Sequence, residues 1–113
     1  MSDILDLARN HFANMGRRRI EVPEWGPAGE PAVLFAPALT LADRQTIERR
    51  AKGDAVARIV LTVILHALRE DGTRAFSDDA ATRKVLEREA DPEVVARIAT
   101  EILRASPGDD LEK

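Results

Sequence analysis

Apolar positions along this chain recur at two different spacings, and the switch between them divides the molecule. Over residues 2–15, Ile4, Leu5, Ala8, Phe12 and Met15 fall at helical intervals, with Ser2 placed as an N-cap, Asp3 in the first turn and Gly16 as a stop. The chain then alternates. Arg19 and Glu21 point to one side and Ile20 and Val22 to the other, as in a half-buried strand, and Pro23 ends the run where its missing N–H does no harm. "GPAGEP" at 26–31 is loop chemistry, and "AVLFA" at 32–36 reads as a return strand with Val33 and Phe35 on one face. A lone two-stranded hairpin is marginal in water, so its apolar face is expected to rest on a helix, with Trp25 covering the open end of that contact.

From Thr40 onward the helical period returns. Thr40-Leu41-Ala42-Asp43 resembles a capping box with Asp at the position usual for Glu or Gln, opening a helix that runs to about Lys52 and stops at Gly53. Asp54 caps the longest predicted helix, 55–70. Val56, Ile59, Val60, Val63, Ile64, Ala67 and Leu68 form one face, and Leu61 and Leu65 widen it. A helix apolar over most of its circumference belongs at the centre. "EDGTRAF" at 70–76 is a turn. Ser77 is placed as the cap of a further helix that has Asp78 and Asp79 in its first turn and ends near Ala90. Asp91-Pro92-Glu93 starts the last helix, whose stripe is Val94, Val95, Ile98, Ile102 and Leu103. The expected fold is mainly α: a single small domain over 1–105 of about four to five helices, with one β-hairpin near the N-terminus at about 18–36 (α+β by strict count). Residues 106–113, "SPGDDLEK", form a polar tail expected to be mobile.

Composition narrows the function classes. The 113 residues are 44% hydrophobic and 33% charged, which suits a globular chain, and aromatics are only 4%, so the core must be aliphatic. A net charge of −3 argues against a general nucleic-acid binder. Arg17, Arg18 and Arg19 form one basic cluster; Arg44, Arg49, Arg50 and Lys52 form another, interleaved with Asp43 and Glu48 like a solvated helix face. The absence of cysteine removes disulfides, thiolate zinc sites and cysteine nucleophiles together. "MSDILDLARN" has acids where a signal peptide has bases, and the longest apolar run, "IVLTVIL" at 59–65, is too short to span a bilayer. A soluble intracellular protein with no membrane partner is expected.

Nothing in the sequence assembles a reaction centre. His11 and His66 lie on different helices, and neither has a second ligand at helical spacing. "EDGTRAFSDD" lacks the alternating acids before its glycine and the closing glutamate of a calcium loop. Ser77, beside Asp78 and Asp79, has no base to activate it, and "GPAG" is not followed by the Lys or Ser/Thr of a phosphate loop. The expectation is no enzyme, no catalytic residue, no metal and no cofactor.

The order of features carries a resemblance. "VPEWG", a short return strand, "ALTLADRQTIE", an apolar helix ending in "EDGTRAFSDD", and "ADPEVVARIATEIL" together resemble the tail assembly chaperone family of long-tailed (siphovirus-type) bacteriophages and prophages, over about Arg19 to Leu103. The most specific parts are Val22 to Gly26 and Glu70 to Asp79. The resemblance implies a non-enzymatic protein of the bacterial host cytoplasm, absent from the mature virion. Such a protein binds and solubilises the tape measure protein, assists tail tube assembly through the tail tube protein, and forms homo-oligomers. It also implies a longer product made by ribosomal frameshifting, joined near the tail after Ser106.

Partner-binding candidates are Phe12 and Met15, which one small core need not absorb, Trp25 and Phe35 as aromatic anchors, and Ile20, Val22 and Val33 with a hairpin edge at 19–22 or 32–36. Trp25 has two readings, a plug for the core or an anchor for another chain. The alternative function is a small phage or plasmid DNA-binding regulator, using the arginines and the helix pair around Gly53. Its would-be recognition helix, 55–70, is the most apolar in the chain and has few groups to read bases.

Overall fold

Side-chain caps set the ends of the helices, and a few non-local hydrogen bonds set the rest. The computed structural model describes residues 3–27 and 30–104. In order, these form α1 (Ile4–Ala13), β1 (Arg17–Val22), a 3-10 turn (Pro23–Trp25), β2 (Ala32–Pro37), α2 (Leu41–Ala51), α3 (Ala55–His66), α4 (Ala80–Arg88) and α5 (Pro92–Leu103). The fold is the expected one, a mainly helical domain with a two-stranded antiparallel hairpin near the N-terminus.

The capping box at Thr40 is complete: Thr40 Oγ1 accepts from Asp43 N–H, and Asp43 Oδ2 accepts from Thr40 N–H, each at 3.0 Å. Asp54 caps α3 through Val56 and Ala57, and Asp91 caps α5 through Glu93 with Pro92 at the first helical position. Between α2 and α3, Lys52 and Gly53 both take left-handed backbone, at φ 53° and 82°. Gly53 is a suitable residue there because it carries no Cβ.

Three predicted boundaries move. The cap of α1 is Asp3, whose Oδ1 accepts from Asp6 N–H at 3.0 Å; Ser2, like the tail from Ser106, lies outside the described residues. The cap of α4 is Asp79, accepting from Thr82 N–H at 2.8 Å, so Ser77 and Asp78 precede the helix. Most telling, α3 ends at His66 rather than near residue 70. Leu68 and Phe35 exchange backbone hydrogen bonds in both directions at 2.8 Å, which requires extended backbone at Leu68. The chain then turns back: Arg69 N–H donates to Thr73 C=O and Ala75 N–H to Ala67 C=O, with Gly72 at φ 91°. Asp71 Oδ1 holds the turn by accepting from both the N–H and the hydroxyl of Thr73. This segment lies along the outer edge of β2.

The hairpin register pairs Arg18 with Ala36, Ile20 with Leu34 and Val22 with Ala32. Directly opposed residues share a face. The buried face is therefore Ile20, Val22, Leu34 and Ala36, while Val33 and Phe35 share the other face with Glu21 and Arg19. That inner face packs on α5, and α5 in turn packs on α3, which also contacts α2 and α4. Along α3 every position from Val60 to Ile64 is buried, including Thr62, whose hydroxyl donates to Arg58 C=O at 2.7 Å. Val94, Val95, Ile98, Ala99 and Ile102 supply the α5 side of the core. A second cluster of Ile47, Ala51 and Leu61 closes the seam between α2 and α3.

At the end of the hairpin Trp25 packs against this core and meets Phe76 edge-on, ring centroids 6.3 Å apart at 79°. The next residue must be glycine. A Cβ on Gly26 would lie 1.9 Å from Glu30 carbonyl oxygen, because the loop folds back over it. Glu24, between Pro23 and Trp25, receives both guanidinium nitrogens of Arg97 on α5 at 2.7 and 2.9 Å. Arg18 meets Glu101 of the same helix at 3.2 Å.

These contacts carry two stability predictions. Ile64 has no exposed surface, so Ile64→Ala removes core atoms and leaves a cavity. Urea unfolding should show a loss of roughly 2–5 kcal/mol, against within about 0.5 kcal/mol for Leu5→Ser on the exposed α1. A loss near zero for Ile64→Ala would mean α3 is not the central helix. Second, the Arg97 hydrogen bonds hold the Glu24 carboxyl at about 2, below its usual 4.5. A depressed carboxylate stabilises the fold above its unfolded value and loses that contribution as pH falls toward its folded one. Stability should decline between pH 4.5 and about 2, and Glu24→Gln should flatten that decline. Identical acid-unfolding curves would show the pair to be energetically silent.

Candidate partner-binding surface

The seven residues singled out from the sequence do not form one surface. Ile20 and Val22 are 4% and 0% exposed and lie in the core, so neither side chain can anchor a partner. Alternation placed them on one face correctly, and that face is the one α5 covers. Trp25 is half-buried and occupied by Phe76 and the core, which favours the plug over the anchor. Phe35 is half-buried on the outer face, with the Arg17 guanidinium 4.1 Å above its ring. The same guanidinium donates to Glu70 C=O at 2.8 Å, pinning it over the aromatic face. Val33 is half-buried beside it. Of the two proposed hairpin edges, 32–36 is occupied at its centre by Leu68 and 19–22 is left.

Phe12 and Met15 are different. Phe12 lies on α1 and Met15 just beyond its end, and none of the α1 residues is buried. Ile4 is 76% and Leu5 71% exposed, with Leu7 and Phe12 also open to solvent. These residues span both flanks of one side of a ten-residue helix about 15 Å long. Helices whose apolar stripe meets nothing are marginal alone, so α1 gains from an apolar surface supplied from elsewhere. The sequence places Ile4 and Leu5 in the set at helical spacing without singling them out as partner-binding residues, and Leu7 is not in that set. A signal for their exposure lay just downstream, in Gly16, at φ 72°, and the three arginines after it, which give the helix no apolar neighbour to fold onto.

The arginines are engaged by the protein itself. Arg50 makes a two-pronged pair with Asp78 at 2.9 and 3.0 Å, and Arg83 joins the same carboxylate at 3.1 Å. These cations hold Asp78 ionised well into acid. Arg58 meets Glu48 at 2.8 Å across the α2–α3 pair, and Arg44 donates to Leu103 C=O at the end of α5 at 2.8 Å. Arg19 pairs with Glu21 on the outer face of β1. Much of the positive charge in the two basic clusters is thus held by groups of the protein itself.

For chemistry, the described residues bring together little. They contain no group of three or more His, Cys, Asp or Glu placed to hold a metal ion, and no helix long and apolar enough to cross a membrane. His66, at the end of α3, is pushed below its ordinary value chiefly by burial, which outweighs the attraction of Asp43. A groove of about 140 Å³ lies between α3, α4 and the start of α5, lined mainly by Val56, Ile59, Leu86, Pro92 and Val95. Its apolar rim and the face of α1 are places where the described residues offer apolar surface rather than bound charge, as does Leu41 at the start of α2. Compared with protein families, curated proteins and solved structures, the chain finds no match.

Proposed function

We propose that this protein is a tail assembly chaperone of a long-tailed bacteriophage or prophage, a non-enzymatic module that binds and solubilises a tape measure protein while the tail tube is built. The observation that carries the proposal is α1: a capped amphipathic helix, attached through Gly16 to a closed core, that keeps Ile4, Leu5, Leu7 and Phe12 in solvent. The likeness of "VPEWG" and "EDGTRAFSDD" to that family supports it from the sequence side. The host cytoplasm as site of action, and absence from the finished virion, belong to the same reading.

The physics of the task fits this geometry. A very long amphipathic chain waiting for its tube exposes apolar stripes that aggregate. A short helix laid along such a stripe covers a few residues and binds weakly. Many copies bound side by side make a stable coat, because each further contact forms within an already assembled complex. The net charge of −3 keeps the coated complex soluble. A DNA-binding regulator fits less well: the helix it would insert into a groove, α3, is buried from Val60 to Ile64, and the nearby arginines hold carboxylates.

Co-expression with the tape measure protein encoded beside it tests the proposal. The partner should be soluble with the wild-type chain and insoluble without it. Leu5→Ser/Phe12→Ser should leave the circular dichroism spectrum almost unchanged and return the partner to the insoluble fraction. Equal solubility of the partner with and without this protein would overturn the reading. Unchanged rescue by the double variant would remove α1 from it.

A further inference from the structure

The hairpin has one covered edge and one open edge, and the open one carries a self-complementary charge pattern. Phe35 turns both its N–H and its C=O toward Leu68, so in an antiparallel ladder its neighbour Arg19 forms a non-hydrogen-bonded pair across β1–β2. The inner ladder is then made by Arg18, Ile20 and Val22, and the N–H and C=O groups of Arg17, Arg19 and Glu21 point away from β2. None of these three donates or accepts a backbone bond among the described residues outside that ladder. Their side chains lie on the solvent-facing side, where Arg19 and Glu21 are exposed and paired with each other.

From this we infer that the protein forms a two-fold symmetric dimer by pairing β1 with β1 of a second copy, antiparallel, with the symmetry axis at Ile20. In this register each Arg19 stands opposite the Glu21 of the other copy, and each of these pairs exchanges two backbone hydrogen bonds. Opposite charges directly across an antiparallel pair stabilise it, and like charges destabilise it. Sliding the axis to Arg19 sets Arg19 against Arg19 and leaves Glu21 facing Arg17, whose guanidinium is already held by the Phe35 ring and Glu70 C=O. Sliding it to Glu21 sets Glu21 against Glu21. The axis at Ile20 is the register that avoids both and uses the outward groups of Arg19 and Glu21 fully. An isologous contact of this kind closes on itself, so it yields a dimer rather than a fibre. The result is a continuous four-stranded sheet, β2–β1–β1–β2, joined through the β1 backbones while each Ile20 side chain stays in its own core. This inference stands on the hairpin alone and is independent of the chaperone proposal, which stands on α1.

The pairing is short, so the dimer is weak and concentration-dependent. Sedimentation equilibrium of the full chain, up to about 1 mM, should show a monomer–dimer exchange. Glu21→Arg turns both cross-strand pairs into Arg–Arg contacts and should weaken the dimer by about tenfold or more. The exchanged variant Arg19→Glu/Glu21→Arg restores opposite charges across the axis and should recover it. It also restores the pair within each strand, so an unchanged circular dichroism spectrum of monomeric Glu21→Arg is what separates the contact from a structural role. Glu21→Pro removes an outward N–H while leaving the inner ladder of Ile20 and Val22 intact, and should also give monomer with an unchanged circular dichroism spectrum. A strictly monomeric wild type would overturn the inference and make these charges guards against pairing. A dimer indifferent to both the charge reversal and the proline would place the contact elsewhere and overturn it equally.

Discussion

A helix buried at every position from Val60 to Ile64 has no solvent face, and that one fact dictates most of this architecture. A surface helix needs cover on one stripe only. α3 needs it all round, so α2, α4 and α5 must each present a stripe to it. The middle of α3 can be this apolar because its one hydroxyl, on Thr62, is satisfied within the helix by Arg58 C=O. The cover is then finished by α5 acting on two sides, against α3 and against the hairpin. With 113 residues, these demands draw in most of the large apolar side chains from Ile20 to Ile102, and α1, none of whose residues is buried, stays outside the core.

The legible and the hidden parts of this fold separate along a physical line. Features decided within a turn or two were legible: the Thr40–Asp43 box, the Asp54 cap, the Asp91–Pro92 start, the Gly53 stop and the aliphatic stripe of α5. Features decided by distant partners were not. Helical periodicity continues past His66, yet the backbone leaves the helix because Phe35 offers Leu68 a pair of hydrogen bonds. Ser77 and Asp79 are both good caps in isolation. Asp79 takes the role, while its neighbour Asp78 serves Arg50 on a different helix. Alternation identified Val33 and Phe35 as sharing a face, but only the register with Ile20 and Val22 tells which face is inside. The same limit explains the binding-site reading. Exposure is a property of the whole packed chain, so Ile20 and Val22 vanished from the surface while Ile4, Leu5 and Leu7 appeared on it.

Charge in this protein is used mainly to join elements to one another. Glu24–Arg97 ties the end of the hairpin to α5, Arg18–Glu101 ties its middle to the same helix, and Arg50–Asp78–Arg83 ties α2 to the approach of α4. Pairs this exposed add little stability each. Their geometry, two-pronged at Arg97 and at Arg50, serves instead to fix the angles at which otherwise slippery aliphatic surfaces meet. The outward side of β1 and the apolar side of α1 are, among the described residues, surfaces whose groups look beyond the chain.

The bond between Glu24 and Arg97 joins residues 73 positions apart, and this separation has a consequence for the order of events during synthesis. The hairpin emerges from the ribosome early, but the helix that covers Ile20 and Val22 is the last described element to be made. At elongation rates of about 5–20 residues per second, several seconds pass with that face open. A bare pair of strands is unstable on its own, so the N-terminal third stays unsettled until α5 arrives to close it. The nascent chain thus passes through an interval in which both α1 and the hairpin are uncovered, and folding is completed from the C-terminal side backwards.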